Sequence, residues 1–229
     1  MTIRRSARSM NTDAIIMRQN DNPMNEFDEK ALEWDTNRMH LDRTIAVAAK
    51  LREQVSFKPG MKAMEFGAGT GLLSFHLKDQ FAEITLMDSS DEMLKKAEQK
   101  MDESDRSKFR TRFLDIEKED YTGELFDIIY SQMVLHHIQN TEAILAKFHR
   151  MLNPGGILAI ADLYKEDGSF HEGNPDVHFG FDPAELTKVI SHFGFRNNKI
   201  VTCFVIRKEE GAEKIKEYPV FLLTASKQE

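Results

Sequence analysis

The segment Glu65-Phe66-Gly67-Ala68-Gly69-Thr70-Gly71 constrains this chain more than any other. It follows an apolar run, Met61 to Phe66, that reads as a strand, and precedes Leu72-Leu73-Ser74-Phe75-His76-Leu77, which reads as a helix start. A glycine-rich turn at that junction lets backbone approach a ligand closely, and the helix N-terminus offers it unpaired N–H groups. The spacing narrows the ligand. A dinucleotide fingerprint G-x-G-x-x-G would need glycine at position 72, which is Leu72. Asp88 stands 21 residues past Gly67, at the end of a second apolar run from Ile84 to Met87. An acid at that strand tip can accept both hydroxyls of a ribose. The pair of features points to a nucleoside, and less to a pyrophosphate.

Strands and helices then alternate, which implies a parallel sheet. Phe109 to Leu114, Phe126 to Ser131 and the run after Pro154-Gly155-Gly156 read as further strands. Ser90, Asn140 and Asp182 read as helix caps, the last followed by Pro183 and by Glu185 at the third helical position. Ile200 to Ile206 and Tyr218 to Thr224 read as two late strands joined by a charged stretch, Arg207 to Glu217. Upstream, Phe27 to Asp35 has the pattern of a short amphipathic helix, with Phe27 and Trp34 on nearly one face. Leu41, Ile45, Ala48, Leu51 and Val55 continue in helical spacing to a stop at Pro59-Gly60. The expected division is a flexible arm over 1–24, a helical cap over 25–58 and a catalytic-type α/β domain over 59–229.

Composition sets outer bounds. The net charge of −7 gives no overall attraction for nucleic acid, and none is expected as a partner. Cys203 is the single cysteine, so an intrachain disulfide is excluded and a reducing, cytoplasmic setting is expected. Arg4, Arg5 and Arg8 among Ser6 and Ser9 leave an organelle-targeting reading as the alternative. No apolar run approaches the ~20 residues of a membrane span.

Acid-x-Gly-x-Gly-x-Gly resembles the first motif of the class I S-adenosylmethionine-dependent methyltransferases. Asp88 to Leu94 resembles their acidic loop and following helix, and Phe113-Leu114-Asp115-Ile116 the adenine-holding segment. Phe126 to Ser131 is similar to the fourth strand, and Leu152 to Leu158 to the turn into the fifth. The look is nearest to the small-molecule enzymes related to ubiquinone and menaquinone biosynthesis. The resemblance implies a Rossmann-like seven-stranded sheet of order 3-2-1-4-5-7-6, its last strand antiparallel, with helices on both faces and a helical N-terminal cap. It implies S-adenosylmethionine as cofactor, with Gly67, Ala68, Gly69 and Gly71 packed against its methionine part and Glu65 orienting its ammonium group. Asp88 and Ser89 would hold the ribose, Asp115, Ile116 and Met93 the adenine, and Ser131 would border the site. The activity implied is in-line methyl transfer to a small-molecule acceptor. A non-catalytic cofactor-binding or scaffold protein and a nucleotide-dependent oxidoreductase remain as other readings of the same sheet.

The acceptor side is written less clearly. Ser131-Gln132-Met133-Val134 lacks the Asn/Asp-Pro-Pro-aromatic run of nucleic-acid amino methyltransferases, and Cys203 lies outside any Pro-Cys motif, which together favour a small acceptor. The connection from Asp162 to Phe181 is long enough to be functional, and its Phe170, Phe179 and Phe181 suggest an aromatic wall. His136, His178 and, less strongly, Tyr164 are the candidate bases. His136 and His137, with His171 and His178 of the long connection, form a His-rich set that could supply a base or, as the lesser reading, a metal site; the spacing is no recognisable ligand pattern, and no metal is expected.

Overall fold

A computed structural model describes residues 26–31, 33–210 and 214–229. The expected arm over 1–24 lies outside them. Seven strands form one sheet: β1 (Lys62–Phe66), β2 (Glu83–Asp88), β3 (Phe109–Phe113), β4 (Phe126–Gln132), β5 (Leu152–Leu163), β6 (Phe195–Glu210) and β7 (Lys214–Lys227). Their order is β3-β2-β1-β4-β5-β7-β6, as the resemblance implies. β1 to β5 run parallel to one another, while β7 runs antiparallel to both β5 and β6. β1, β2 and β4 are buried along nearly every position, because helices cover both faces. β3, at the edge, alternates between buried and open residues.

Seven helices accompany the sheet: α1 (Glu26–Lys30), α2 (Arg38–Gln54), α3 (Leu72–Leu77), α4 (Asp91–Lys100), α5 (Glu103–Lys108), α6 (Thr141–Met151) and α7 (Pro183–His192). The expected caps form. Ser90 accepts from Met93 N at 3.1 Å, Asn140 from Ala143 N at 3.0 Å and Asp182 from Ala184 N at 2.8 Å. One face of the sheet packs Val47 and Leu51 of α2 and Leu73 and Leu77 of α3 against Ile84 and Leu86. The other packs Ile144 and Phe148 of α6 and Leu186 and Ile190 of α7 against Met64, Met87 and Ile129.

Two expectations need correction. Phe27 to Asp35 is not one helix: α1 stops at Lys30, and a separate 3₁₀ turn spans Trp34–Thr36 before Asn37 caps α2. The break lets Phe27 and Trp34 meet edge to face, ring centres 6.4 Å apart. The stretch Arg207 to Glu217 is not simply a linker either. Its ends continue the β6–β7 ladder, pairing Arg207 with Glu217, Lys208 with Lys216 and Glu209 with Ile215. Opposite charges facing each other across the strands, as in the 2.9 Å Arg207–Glu217 pair, make a charged sequence compatible with β pairing.

A buried polar relay fixes β1 against α3 and β4. Ser74 donates from N and Oγ to the Glu65 carboxyl, and its Oγ lies 2.6 Å from the Tyr130 hydroxyl. Burial pushes the Glu65 pKa up from 4.5 to about 8, although the Ser74 bonds oppose the rise. The folded state thus holds a proton that the unfolded chain has lost between those two values. Stability is greatest below the unfolded value and falls as pH rises through about 8. Glu65→Gln cannot ionise, so its thermal stability between pH 5 and 9 should change less than that of the wild type. At pH 9 the variant should be the more stable by roughly 2–4 kcal/mol, at about 1.4 kcal/mol per pKa unit. Parallel melting curves across that range check this.

Candidate functional site

The turn between β1 and α3 is built from left-handed glycines: φ is +61° at Gly67, +54° at Gly69 and +77° at Gly71. A Cβ on Gly67 would lie 2.5 Å from a Val134 methyl, so that glycine is required by packing. A Cβ on Gly69 would come no nearer than 3.8 Å to Met93 Sδ and 3.9 Å to Trp34 Nε1, because Gly69 faces a cleft. Asp88, at the tip of β2, braces the turn: its carboxylate accepts from Gly69 N at 2.7 Å and from Ser90 N at 2.8 Å. Burial raises its pKa, and the backbone N–H groups of Gly69, Ser90 and Ser89 oppose that rise.

The cleft runs along the carboxyl ends of the central strands. Gly67, Gly69, Asp88 and Ser89 line it, as do Met93, Asp115 and Ile116, all expected from sequence. Phe66, Leu114 and Ile138 complete its apolar walls, a surface suited to a flat heterocycle. Asp115 also shapes its own turn, accepting from Glu117 N at 3.1 Å. Glu65, Ala68, Gly71 and Ser131 do not line the cleft. Glu65, Ala68 and Ser131 are buried, and Gly71 is the left-handed residue that caps α3. One oxygen of the Glu65 carboxyl accepts both the N and the Oγ of Ser74. Gln132, not anticipated from sequence, lines the cleft. Its amide donates to Thr44 Oγ1 at 2.9 Å, while its buried Oε1 has no hydrogen-bond partner among the described residues. An unused buried acceptor on the cleft wall fits a cationic donor of the bound cofactor. Met133 beside it adopts φ +58°, a conformation disfavoured for a side-chain-bearing residue.

The N-terminal segment closes over this cleft. Phe27 and Trp34 line it, and Phe27 stands edge to face with His137 at 5.3 Å. The segment is tied to the cofactor turns themselves: Ser90 Oγ donates to Asp28 at 2.6 Å, Lys100 pairs with Asp35 at 2.6 Å, and Thr70 Oγ1 donates to Asp35.

A second cavity, of about 550 Å³, adjoins the first and shares Phe27, Trp34, Met133 and His137 with it. Its remaining wall includes Arg43, His136, Phe170, His171 and Lys208. Of the three candidate bases only His136 borders it. His178 donates from its backbone N to His136 O at 2.8 Å and its ring lies 2.9 Å from Ile138 O, so it braces the turn that carries His136. The Tyr164 hydroxyl lies 3.1 Å from Thr202 Oγ1, away from both cavities. Of the expected aromatic wall only Phe170 is present; Phe179 is exposed and Phe181 packs against the α6–α7 core. His137, which the sequence placed beside His136 but not among the preferred bases, is the imidazole that borders both spaces. Burial first, then the neighbouring His136 and His171, lower its pKa to about 3, so the ring is neutral and able to accept a hydrogen bond. The His136-His137 pair was the available signal, but sequence alone could not say which ring of a 3₁₀ turn faces the cofactor.

Two glycines and one acid test the cleft. Gly69→Ala should fold, at a cost of about 1–2 kcal/mol for its left-handed backbone, and lose S-adenosylmethionine binding in calorimetric titration. Gly67→Ala should lose stability instead, through the Val134 collision. Asp88→Ala should weaken cofactor binding by ~1.5–3 kcal/mol, the scale of hydrogen bonds to a charged group. Unchanged affinity in a folded Asp88 variant would remove it from the site.

Comparison with known proteins agrees with this geometry. Residues 64–158 match the family described as methyltransferase domain. An uncharacterized methyltransferase of Schizosaccharomyces pombe is 30% identical over 167 residues, covering 69% of this chain and 56% of that protein. Phosphoethanolamine N-methyltransferase 3 of Arabidopsis thaliana is 30% identical over 113 residues, covering 48% of this chain and 22% of that enzyme. The chain thus spans about half the length of one relative and less than a quarter of the other. Among solved structures, a chain from the complex of the Haloferax volcanii Trm112 methyltransferase activator with a methyltransferase superposes with a TM-score of 0.73. It is 17% identical, over 91% of this chain and all of that one. Residues 64–158 thus carry a methyltransferase domain, set in a seven-stranded sheet of the order the resemblance implies, with the glycine turn and Asp88 beside its cleft.

Proposed function

We propose that the protein transfers a methyl group from S-adenosylmethionine to a small-molecule acceptor bearing an anionic group, and that the second cavity holds that acceptor. The observation that carries this reading is the junction of the two spaces, which meet at Phe27, Trp34, Met133 and His137. An acceptor in one is thereby set against a cofactor in the other.

Asp88 and Ser89 hold the ribose in this reading, the Leu114–Ile116 wall with Met93 holds the adenine, and Gln132 Oε1 accepts from the ammonium group. The bound cofactor supplies an electrophilic methyl on a sulfonium, which is already a good leaving group. The chain's contribution is to fix the acceptor nucleophile in line and keep water out. His137, neutral and at the junction, is placed to orient the nucleophile. The anionic preference rests on Arg43 and Lys208. Arg43 is buried, and its Nε has no hydrogen-bond partner among the described residues. Burial lowers its pKa to about 10, leaving it charged at neutral pH. Lys208 sits 3.9 Å above the Phe170 ring and donates to Phe170 O at 2.7 Å. The similarity to a phosphoethanolamine methyltransferase supports an acceptor of that general kind.

Incubation with methyl-labelled cofactor and a cell extract, afterwards separated into small molecules, protein and nucleic acid, tests this. Label should collect among small molecules retained on an anion exchanger; label confined to protein or nucleic acid would overturn the reading. Phe27→Ala and Trp34→Ala should each lower turnover and cofactor retention at least ~10-fold, a loss of about 1.4 kcal/mol, with little change in melting temperature. Full activity in both would rule out a closing role for the N-terminal segment.

A further inference from the structure

Three imidazoles meet at the floor of the second cavity, from two segments distant in sequence. His136 and His137 lie on the 3₁₀ turn that follows β4, and His171 on a 3₁₀ turn, Ser169–His171, beyond the end of β5. Their ring centres are 4.2, 5.0 and 5.2 Å apart, and one ring nitrogen from each lies within 4.8 Å of the others. Behind them is Asp162, fully buried, whose carboxylate lies 2.6 Å from His136 Nδ1. The same carboxylate accepts from the backbone N of His136 and of Leu163, so its position is fixed from three sides. A carboxylate on Nδ1 sets the tautomer and leaves Nε2 as the free lone pair, which is how metal-bound histidines are oriented.

We propose that His136, His137 and His171 bind one divalent first-row metal ion, Zn²⁺ or a borderline relative, with Asp162 orienting His136. Three imidazoles are the donor set such ions prefer over Mg²⁺ or Ca²⁺. Three protein ligands with one position left open is the arrangement of catalytic rather than structural zinc. Metal–nitrogen bonds of 2.0–2.1 Å put tetrahedral ligand atoms about 3.4 Å apart, so modest ring rotations would close the present cluster on an ion. Asp162 supplies negative charge next to the ion, and the open position faces the cavity. For its catalytic meaning the inference rests on the acceptor-pocket reading: an oxygen of the acceptor's anionic group would take the open position, between the ion and Arg43.

The ion can be tested without any acceptor. Untagged full-length protein, stripped with chelator, is titrated with Co²⁺ and then Zn²⁺, following the visible ligand-field absorption of cobalt and the heat of binding. S-adenosylhomocysteine binding, measured on every variant, reports that the cofactor cleft is folded. One saturable ion per chain is expected, with tetrahedral or five-coordinate cobalt bands displaced by Zn²⁺. His171→Ala should abolish the bands, Asp162→Asn should weaken binding roughly 10–100-fold, and His192→Ala, on α7, should leave it unchanged. If His171→Ala loses the cofactor cleft, His171→Gln takes its place with the same expectation. Absence of a saturable ion in the wild type, or equal binding after loss of His171, overturns the proposal. Methyl transfer that proceeds without the ion would leave the acceptor reading intact, so the two fail separately.

Discussion

The carboxylate of Asp88 is the contact on which the site depends. It leaves the tip of β2 and accepts the backbone N–H of Gly69 in the neighbouring turn and of Ser90 at the start of α4. One buried side chain thereby sets the separation of the two loops that form the cofactor cleft. The desolvation it suffers is offset by those N–H groups, which a charged carboxylate uses better than a neutral one. Ser90 extends the linkage, since its hydroxyl caps α4 and also donates to Asp28 in α1. The N-terminal segment is thus registered to the loop before α4 and, through Asp35 and Lys100, to α4 itself.

The sheet was legible because its signals are local. A glycine turn, a strand-tip acid and three helix caps each need only a few consecutive residues, and each recurs in the structure where its chemistry requires it. The cleft is local in the same sense: Gly67, Gly69, Asp88, Ser89, Met93, Asp115 and Ile116 line it from three consecutive strand ends. What failed to read was everything that depends on which way a side chain turns. Glu65 carries the motif's acid, yet Ser74 on the first turn of α3 captures it. Position alone could not reveal that Gln132, one strand over, would present the unused oxygen.

The acceptor side was harder still, because it is assembled across long loops. His171 approaches His136 only after β5 and its following turn are in place, and His178 serves as a backbone brace for that same turn. Both are histidines in one connection, and nothing in their spacing separates a ring that borders the cavity from one that supports its wall. The charged end of the β6–β7 hairpin posed the same difficulty. It reads as solvated linker until cross-strand pairing carries Lys208 back over Phe170.

The break between α1 and the Trp34 turn has a kinetic consequence. Because Phe27 and Trp34 each contribute to the walls of both cavities, the two compartments would, in the proposed reading, share a single gate. Lifting it requires parting Asp28 from Ser90 and Asp35 from Thr70 and Lys100, whichever ligand is leaving. Demethylated cofactor and methylated product would then depart in the same opening, and their release rates would rise and fall together with the strength of three surface-proximal contacts. Turnover in such an arrangement would be set by those contacts, with the chemistry waiting behind them.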